Sequence, residues 1–143
     1  MINIKELFDK LKWNNNILIQ RQGINEGLKI KDISIFLKPW LYYDGDCKAI
    51  LGNCARIIYK KNDDELKPYL YELFEVLKDL NCPGALLINK RLFEFKKNNY
   101  TLYNEMLQKV LKEAEDNHNN VWKETLLEID DTALYFICPD IEL

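Results

Sequence analysis

Apolar residues recur along most of this chain at intervals of three and four residues, the spacing that places them on one face of an α-helix. The first stripe runs from Ile4 to Leu11, and a less regular stretch over residues 14–29 is also interpreted as helical. The pattern therefore predicts an all-α protein. The later stripes are Ile33, Phe36, Leu37, Trp40 and Leu41; Ile50, Leu51, Cys54, Ile57 and Ile58; Leu66, Leu70, Leu73, Leu77 and Leu80; Ile88, Leu92 and Phe95; Tyr103, Met106, Leu107, Val110, Leu111 and Ala114; Trp122, Leu126 and Ile129.

Prolines and short polar segments divide these stripes. Pro39 is expected to end or kink one helix near Lys38, and Pro68 to bend another near its first turn. Asp63 or Asp64 is expected to cap the helix that contains Pro68, and Asn81 or Cys82 the helix whose first turn is expected to contain Pro83. The polar segments between the stripes are only a few residues long, and connections of this length usually join antiparallel helices.

An internal repeat sets the expected arrangement of the helices. A shift of 35 residues brings Asp44, Cys47 and Arg56 onto Asp79, Cys82 and Arg91, and a further shift of about 37 residues brings the Asp79 turn onto the Asp116 turn. Two helices in each unit of this length are typical of an α-solenoid. We therefore predict one domain over residues 1–143, with an N-terminal helical cap at 1–30, helix pairs at 31–60, 63–97 and 99–131, and a tail at 132–143.

The tail contains a short apolar run from Ala133 to Cys138, which Pro139 closes. A run of this length is compatible with a strand, an extended tail or a final helical turn, because short apolar runs do not distinguish these states.

Composition narrows the class of protein. A length of 143 residues suits one domain with its own core. No stretch approaches the roughly 20 apolar residues that a membrane span needs, and the N-terminus has no secretory pattern, so a soluble, cytoplasmic protein without a membrane partner is expected. The net charge of −3 argues against a general nucleic-acid binder.

Few residues suit catalysis or metal binding. The four cysteines form no C-x-x-C pair and His118 is the only histidine, so no metal site is expected and the cysteines are interpreted as reduced core residues. Ser34 is the only serine, and the five glycines form no phosphate-binding loop. We therefore expect no catalytic residue and no cofactor.

Three segments resemble a known family. Residues 53–58, 64–70 and 72–85 are similar to a family of small bacterial HEAT-like proteins of unknown function, whose motif L-x-x-x-L-x-D-L-N-x-P-G corresponds to residues 73–84. The similarity covers about residues 23–97. The family usually has tryptophan where this chain has Leu51, Val76 and Cys82, and an acidic residue in place of Gly52. The resemblance implies a HEAT-like α-solenoid, and members resemble products of bacterial toxin and immunity genes.

Two patterns of polar and aromatic residues could indicate a function other than protein binding. Glu72, Glu75 and Asp79 recur at helical spacing, which is typical of a carboxylate metal or acid–base site as well as of an ordinary solvated face. Several tyrosines could stack on nucleic-acid bases, although packing at the edge of the core explains them better. The tyrosines concerned are Tyr42, Tyr43, Tyr59, Tyr69 and Tyr71.

Charge alternates between helices in the middle of the chain. Residues 46–61 and 84–97 each carry a balance of +3, whereas residues 63–79 carry −4. In a solenoid the two basic helices would lie side by side and form one surface, although the alternating signs could instead hold neighbouring helices together. We name this predicted binding surface the basic surface; its residues are Lys48, Arg56, Lys60, Lys90, Arg91 and Glu94.

These observations lead to one functional hypothesis with two alternatives. The leading hypothesis is a non-enzymatic scaffold that uses the basic surface to bind a protein with an acidic surface, and its narrower form is an immunity protein that neutralises a toxin. The alternatives are an enzyme with a carboxylate site at Glu72, Glu75 and Asp79, and a nucleic-acid binder of the helical-repeat type.

Overall fold

The computed structural model describes residues 3–129, whose regular elements are all helices and which contain no β-strand. The all-α prediction is therefore confirmed for this part of the chain. The predicted tail at 132–143 lies outside the described residues. The α-helices are α1 (Ile4–Lys10), α2 (Ile17–Leu28), α3 (Ser34–Leu37), α4 (Leu51–Tyr59), α5 (Asp63–Leu66), α6 (Leu70–Val76), α7 (Ala85–Asn98), α8 (Tyr100–Asp116) and α9 (Asn120–Leu127), with short 3-10 turns at Pro39–Leu41, Cys47–Ala49 and Lys67–Tyr69.

Pro39 and Pro68 interrupt their helices as predicted. Helix α3 ends at Leu37, and a 3-10 turn starts at Pro39. Pro68 lies in the 3-10 turn between α5 and α6, where its missing N–H prevents a regular α-helix. The stripe that was extended to Leu80 ends earlier than predicted, because α6 ends at Val76 and Leu80 is exposed.

The helix caps differ from the predicted ones. Asn62, and not Asp63 or Asp64, caps α5, in a reciprocal pair with Glu65. Neither Asn81 nor Cys82 caps α7; the residue before that helix is Gly84, whose φ of 85° needs a residue without a side chain. Gly84 is not among the predicted caps, because its role depends on the packing of the turn, which brings the start of α7 directly against α4.

The helices pack in two rows. Helices α2, α4 and α7 contact one another in succession, and so do α3, α6 and α8. Each row also contacts the other, through α3 with α4 and α6 with α7, while α1 packs on α2 and α9 on α8. The core between them includes Phe8, Phe36 and Phe74 and, towards the end of the chain, Trp122.

Two buried cations join successive helices of one row. Lys61 Nζ donates to the carbonyl oxygens of Leu28 at 2.8 Å and Ile30 at 2.6 Å, at the end of α2. Arg91 donates to the carbonyl oxygen of Lys61 at 2.9 Å, just beyond the end of α4. Both cations satisfy carbonyl groups that a helix end leaves without a partner.

Four tyrosine hydroxyls donate to carboxylates on other elements. The pairs are Tyr43 with Asp9, Tyr59 with Glu94, Tyr69 with Asp32 and Tyr71 with Glu113. These tyrosines therefore tie helices together, which supports packing over base stacking; Tyr42 remains exposed.

Three of the four cysteines lie within residues 3–129. Cys54 is buried, whereas Cys47 and Cys82 are half-buried, so only one of these three is a true core residue. Cys138 lies outside the described residues. In residues 3–129, no helix is both long enough and apolar enough to cross a membrane.

Candidate functional site

The predicted basic surface is only partly present. Lys48 and Lys60 are exposed and Lys90 is half-buried, as a binding surface requires. Arg91, however, is 7% exposed and pairs with Asp63 at 2.6 Å, so its expected place on the flank of an outer face is wrong. The physical reason is that Arg91 satisfies both the Asp63 carboxylate and a helix-end carbonyl.

Two other members of the basic surface also have internal partners. Glu94 accepts a hydrogen bond from Tyr59 at 2.7 Å. Arg56 is half-buried and donates to the side-chain oxygen of Asn53 at 3.0 Å. Lys61, which contributed to the positive balance of the same segment, is buried. Much of the alternating charge therefore joins helices.

The three carboxylates of the alternative site do not share a helix. Because α6 ends at Val76, Asp79 lies in the following turn, where it accepts a hydrogen bond from the Asn81 N–H at 3.0 Å. Glu75 lies 3.7 Å from Lys38 and 3.5 Å from Lys78. Within residues 3–129, no three His, Cys, Asp or Glu side chains are grouped so as to hold a metal ion.

A pocket of about 180 Å³ lies where α3, α4 and the α6–α7 turn meet. We call it the Trp40 pocket. Its walls are mainly apolar, with charged groups only from the end of α6 and the residues that follow. The lining residues are Phe36, Leu37, Trp40, Leu51, Ala55, Ile58, Glu75, Val76, Lys78, Asp79, Cys82, Pro83, Gly84 and Ile88.

Local sequence explains why these walls converge. A Cβ atom on Gly84 would lie 2.5 Å from the Ala55 Cβ and 3.0 Å from the Leu51 carbonyl oxygen, so glycine permits the close approach of α7 to α4. Pro39 ends α3 and turns the chain, which leaves Trp40 at the edge of the pocket. The pocket therefore depends on one proline and one glycine.

The rim of the Trp40 pocket continues as an apolar surface. Trp40 is 56% exposed, and the adjacent Leu41 and Tyr42 are also exposed. Large apolar side chains in one exposed run are uncommon outside interaction sites. The exposed run begins at the recess with Trp40 and continues to Leu41 and Tyr42, which lie beside Lys5 and Asp44.

Charged groups at the mouth have internal partners. Glu75 is held between Lys38 and Lys78, and the Lys78 ammonium also lies 4.5 Å from the centre of the Trp122 ring. Cations are attracted to an aromatic face in this geometry. An apolar ligand would therefore enter the recess without leaving these two charges unpaired.

The one thiol in the pocket is not activated. Burial, together with the nearby Asp79 carboxylate, raises the pKa of Cys82, although Lys48 acts in the opposite direction. A raised pKa keeps the side chain as a neutral thiol at neutral pH, and a thiol is a poor nucleophile. This arrangement favours binding by shape and apolar contact.

Sequence reasoning found this region only indirectly. Leu51, Val76 and Cys82, the positions at which the resemblance implies tryptophan in similar proteins, all line the Trp40 pocket. The apolar pattern places Trp40 in a helical stripe and gives Gly84 no separate role. The relevant signal in the sequence is the run of large residues Trp40, Leu41 and Tyr42 directly after Pro39.

Comparison with known proteins gives no further assignment: no protein-family model matches the chain, and no curated protein or solved structure is significantly similar to it.

Proposed function

We propose that this chain is a non-enzymatic protein-binding module that takes one large apolar side chain of a protein partner into the Trp40 pocket. The observation that carries the proposal is an apolar recess bordered by the exposed Trp40, with Leu41 and Tyr42 beside it. Tryptophan and tyrosine dominate binding energy at protein interfaces, especially next to a recess that excludes water.

The size of the recess supports a side chain as its occupant. Sites that bury a whole small molecule usually measure about 300–1,000 Å³, whereas a cavity of about 150 Å³ accepts a benzene ring. A volume of about 180 Å³ therefore suits one aromatic or large aliphatic side chain.

The proposed partner carries an acidic surface, which would contact fewer cations of this chain than the charge pattern predicts. Lys48 and Lys60 are exposed and Lys90 is half-buried, so these three cations are accessible to an acidic partner. We propose that Lys48, Lys60 and Lys90 supply the positive surface, without Arg91 and Glu94. Charges of this kind chiefly speed association.

Three finer points belong to the same proposal. We propose that the rows α2–α4–α7 and α3–α6–α8 belong to a HEAT-like solenoid, since the first helices α3, α6 and α8 contact one another in succession, as do α4 and α7, the second helices of the first two pairs. We also propose a cytoplasmic setting, as composition suggested. Toxin neutralisation is one way in which such a module would act. No observation favours the carboxylate enzyme or the nucleic-acid binder.

The proposal can be tested with peptides selected from a random display library on the wild-type protein. Affinity would then be measured for Val76→Trp, which fills the recess, and for Val121→Trp, the same change at an exposed position of α9. Because the resembling family carries tryptophan at position 76, the fold is expected to accept it. We expect peptides with an aromatic or large aliphatic anchor, and at least a tenfold weaker affinity for Val76→Trp alone.

The opposite results would refute the proposal. These are selected peptides that bind Val76→Trp as tightly as the wild type, or a library that yields no peptide with a large apolar anchor.

A further inference from the structure

A second group of exposed apolar residues lies in the loop between α1 and α2 and in the first turn of α2. Trp13 is 73% exposed and Leu18 is 68% exposed, and Ile17 and Ile19 beside them are also exposed. We call these four residues the Trp13 tip. None of them lines the Trp40 pocket.

The loop that carries the Trp13 tip is held in one conformation by side-chain amides. Asn15 Nδ2 donates to the Asp9 carbonyl oxygen at 2.6 Å, and Gln20 Nε2 donates to the carbonyl oxygens of Trp13 and Asn15. The Trp13 N–H in turn donates to the Ala49 carbonyl oxygen at 2.9 Å. The backbone of the loop is therefore tied down at several points.

A buried residue of α4 supports these ties from behind. Asn53, which is almost fully buried, donates to the Leu11 carbonyl oxygen at 2.8 Å and to Gln20 Oε1 at 2.9 Å. Burying amide side chains costs free energy unless they are hydrogen-bonded, and here they fix a loop whose apolar side chains remain in solvent. Preorganisation of this kind lowers the entropy cost of binding.

Charge distinguishes this end of the chain from the rest. Residues 1–30 contain five Lys or Arg and three Asp or Glu, whereas the remainder contains 15 and 20. No acidic residue occurs between Asp9 and Glu26. Residues 9–25, which carry the Trp13 tip, contain three Lys or Arg and one acidic residue. Lys10 pairs with Glu26 and Lys12 lies near Asp9, so Arg21 supplies the remaining positive charge near the Trp13 tip.

We propose that the Trp13 tip inserts into the surface of an anionic lipid bilayer. Tryptophan favours the interface between water and hydrocarbon, and Lys or Arg near an anionic leaflet adds electrostatic attraction. The opposite charges of the two parts of the chain would orient the positive end towards the bilayer. This contact is peripheral, and it is independent of the function proposed for the Trp40 pocket.

A second copy of the chain fits the Trp13 tip less well. A two-fold contact would place Arg21 and its neighbours against the same cations, with no acidic residue in the segment to neutralise them. A bilayer also needs no groove shaped to receive a projecting loop.

Sedimentation with vesicles tests the proposal on the full chain. Vesicles of phosphatidylcholine alone would be compared with vesicles of equal parts phosphatidylcholine and phosphatidylglycerol. The tip variant is Trp13→Ser/Leu18→Ser, and the control is Val121→Ser, which removes an equally exposed apolar side chain from α9. Thermal melts would show that both variants are folded.

We expect the wild type and Val121→Ser to sediment with the anionic vesicles, with binding reduced at high salt, and the tip variant to partition at least tenfold less. In a Trp40→Phe background, Trp13 emission should shift to the blue on binding. The proposal fails if the wild type does not bind anionic vesicles, or if both variants lose binding equally. It also fails if sedimentation velocity shows a dimer for the wild type and a monomer for the tip variant.

Discussion

The Arg91 guanidinium lies 2.6 Å from the Asp63 carboxylate and 2.9 Å from the Lys61 carbonyl oxygen. This pair joins α7 to the start of α5 and to the end of α4. A residue that charge patterning places on an outer surface is thus an internal tie. Arg91 therefore stabilises the fold, whereas Lys48, Lys60 and Lys90 are accessible to a partner.

Replacing Arg91 by methionine should strongly destabilise the protein. The change removes the partner of one Asp63 oxygen and of the Lys61 carbonyl, while Asn99 still donates to the other Asp63 oxygen. Loss of one member of a buried ion pair typically costs about 3–5 kcal/mol. Because Asp63 is partly exposed, we expect the lower end of that range. Urea denaturation measures it.

Lys90→Met is the matched control for Arg91→Met. Lys90 precedes Arg91 in α7, is half-buried and has no carboxylate within 4 Å in residues 3–129. Its free energy of unfolding should change by no more than about 1 kcal/mol. Similar losses for the two variants would show that the Arg91 tie is not important for stability.

Two glycine substitutions should act in opposite directions. Gly84→Ala forces a side chain into a left-handed backbone and against Ala55, so we expect a loss of at least about 2 kcal/mol. Gly52→Ala lies inside α4, where the nearest heavy atom among the described residues is Arg56 Nη1 at 3.8 Å. That change should stabilise the protein by about 0.5–1 kcal/mol. Thermal unfolding of both variants provides the comparison, and a stable Gly84→Ala would contradict the tight α4–α7 approach.

Stability should fall at alkaline pH because of the tyrosine ties. Burial and the Glu94 hydrogen bond raise the pKa of Tyr59 to about 12, and the Glu113 hydrogen bond and burial raise the pKa of Tyr71 to about 12. A pKa raised in the folded state gives stability that is complete below the unfolded pKa of about 10 and is lost as the pH rises towards 12.

The measurement is the free energy of unfolding between pH 8 and pH 12. Replacing Tyr59 and Tyr71 together by phenylalanine should lower stability at pH 8 and flatten the alkaline decline, because neither phenol then titrates. Tyr42→Phe, at an exposed tyrosine, is the control. An unchanged alkaline profile in the double variant would mean that these hydroxyls do not support the fold.

Much of the fold follows from periodicity, whereas the details of its helix ends do not. The three- and four-residue spacing predicts the helices, and Pro39 and Pro68 predict their interruptions. The spacing does not distinguish Asn62 from Asp63 as a cap, because both side chains can accept the same N–H. Nor does it show that Gly84 adopts a left-handed conformation, which depends on the contact with α4.

The candidate site was harder to predict for a similar reason. A stripe of apolar residues contains both those that the core covers and those at its edge, and Trp40 belongs to the second group. The recess forms where α3, α4 and the α6–α7 turn pack together. A local sequence pattern does not predict contacts between segments that are distant in the chain. Charge patterning likewise cannot separate Lys90 from the adjacent Arg91, since only the packed structure supplies Asp63.

Methyl NMR with an aromatic probe tests the central claim, that the Trp40 pocket binds a large apolar side chain. N-acetyl-tryptophan amide would be titrated into protein labelled at the methyl groups of isoleucine, leucine and valine. We predict saturable shifts at Leu51, Ile58, Val76 and Ile88, which line the pocket, and none at the exposed Val121. Shifts confined to methyl groups elsewhere, or no saturable shift at the pocket methyl groups, would contradict the claim.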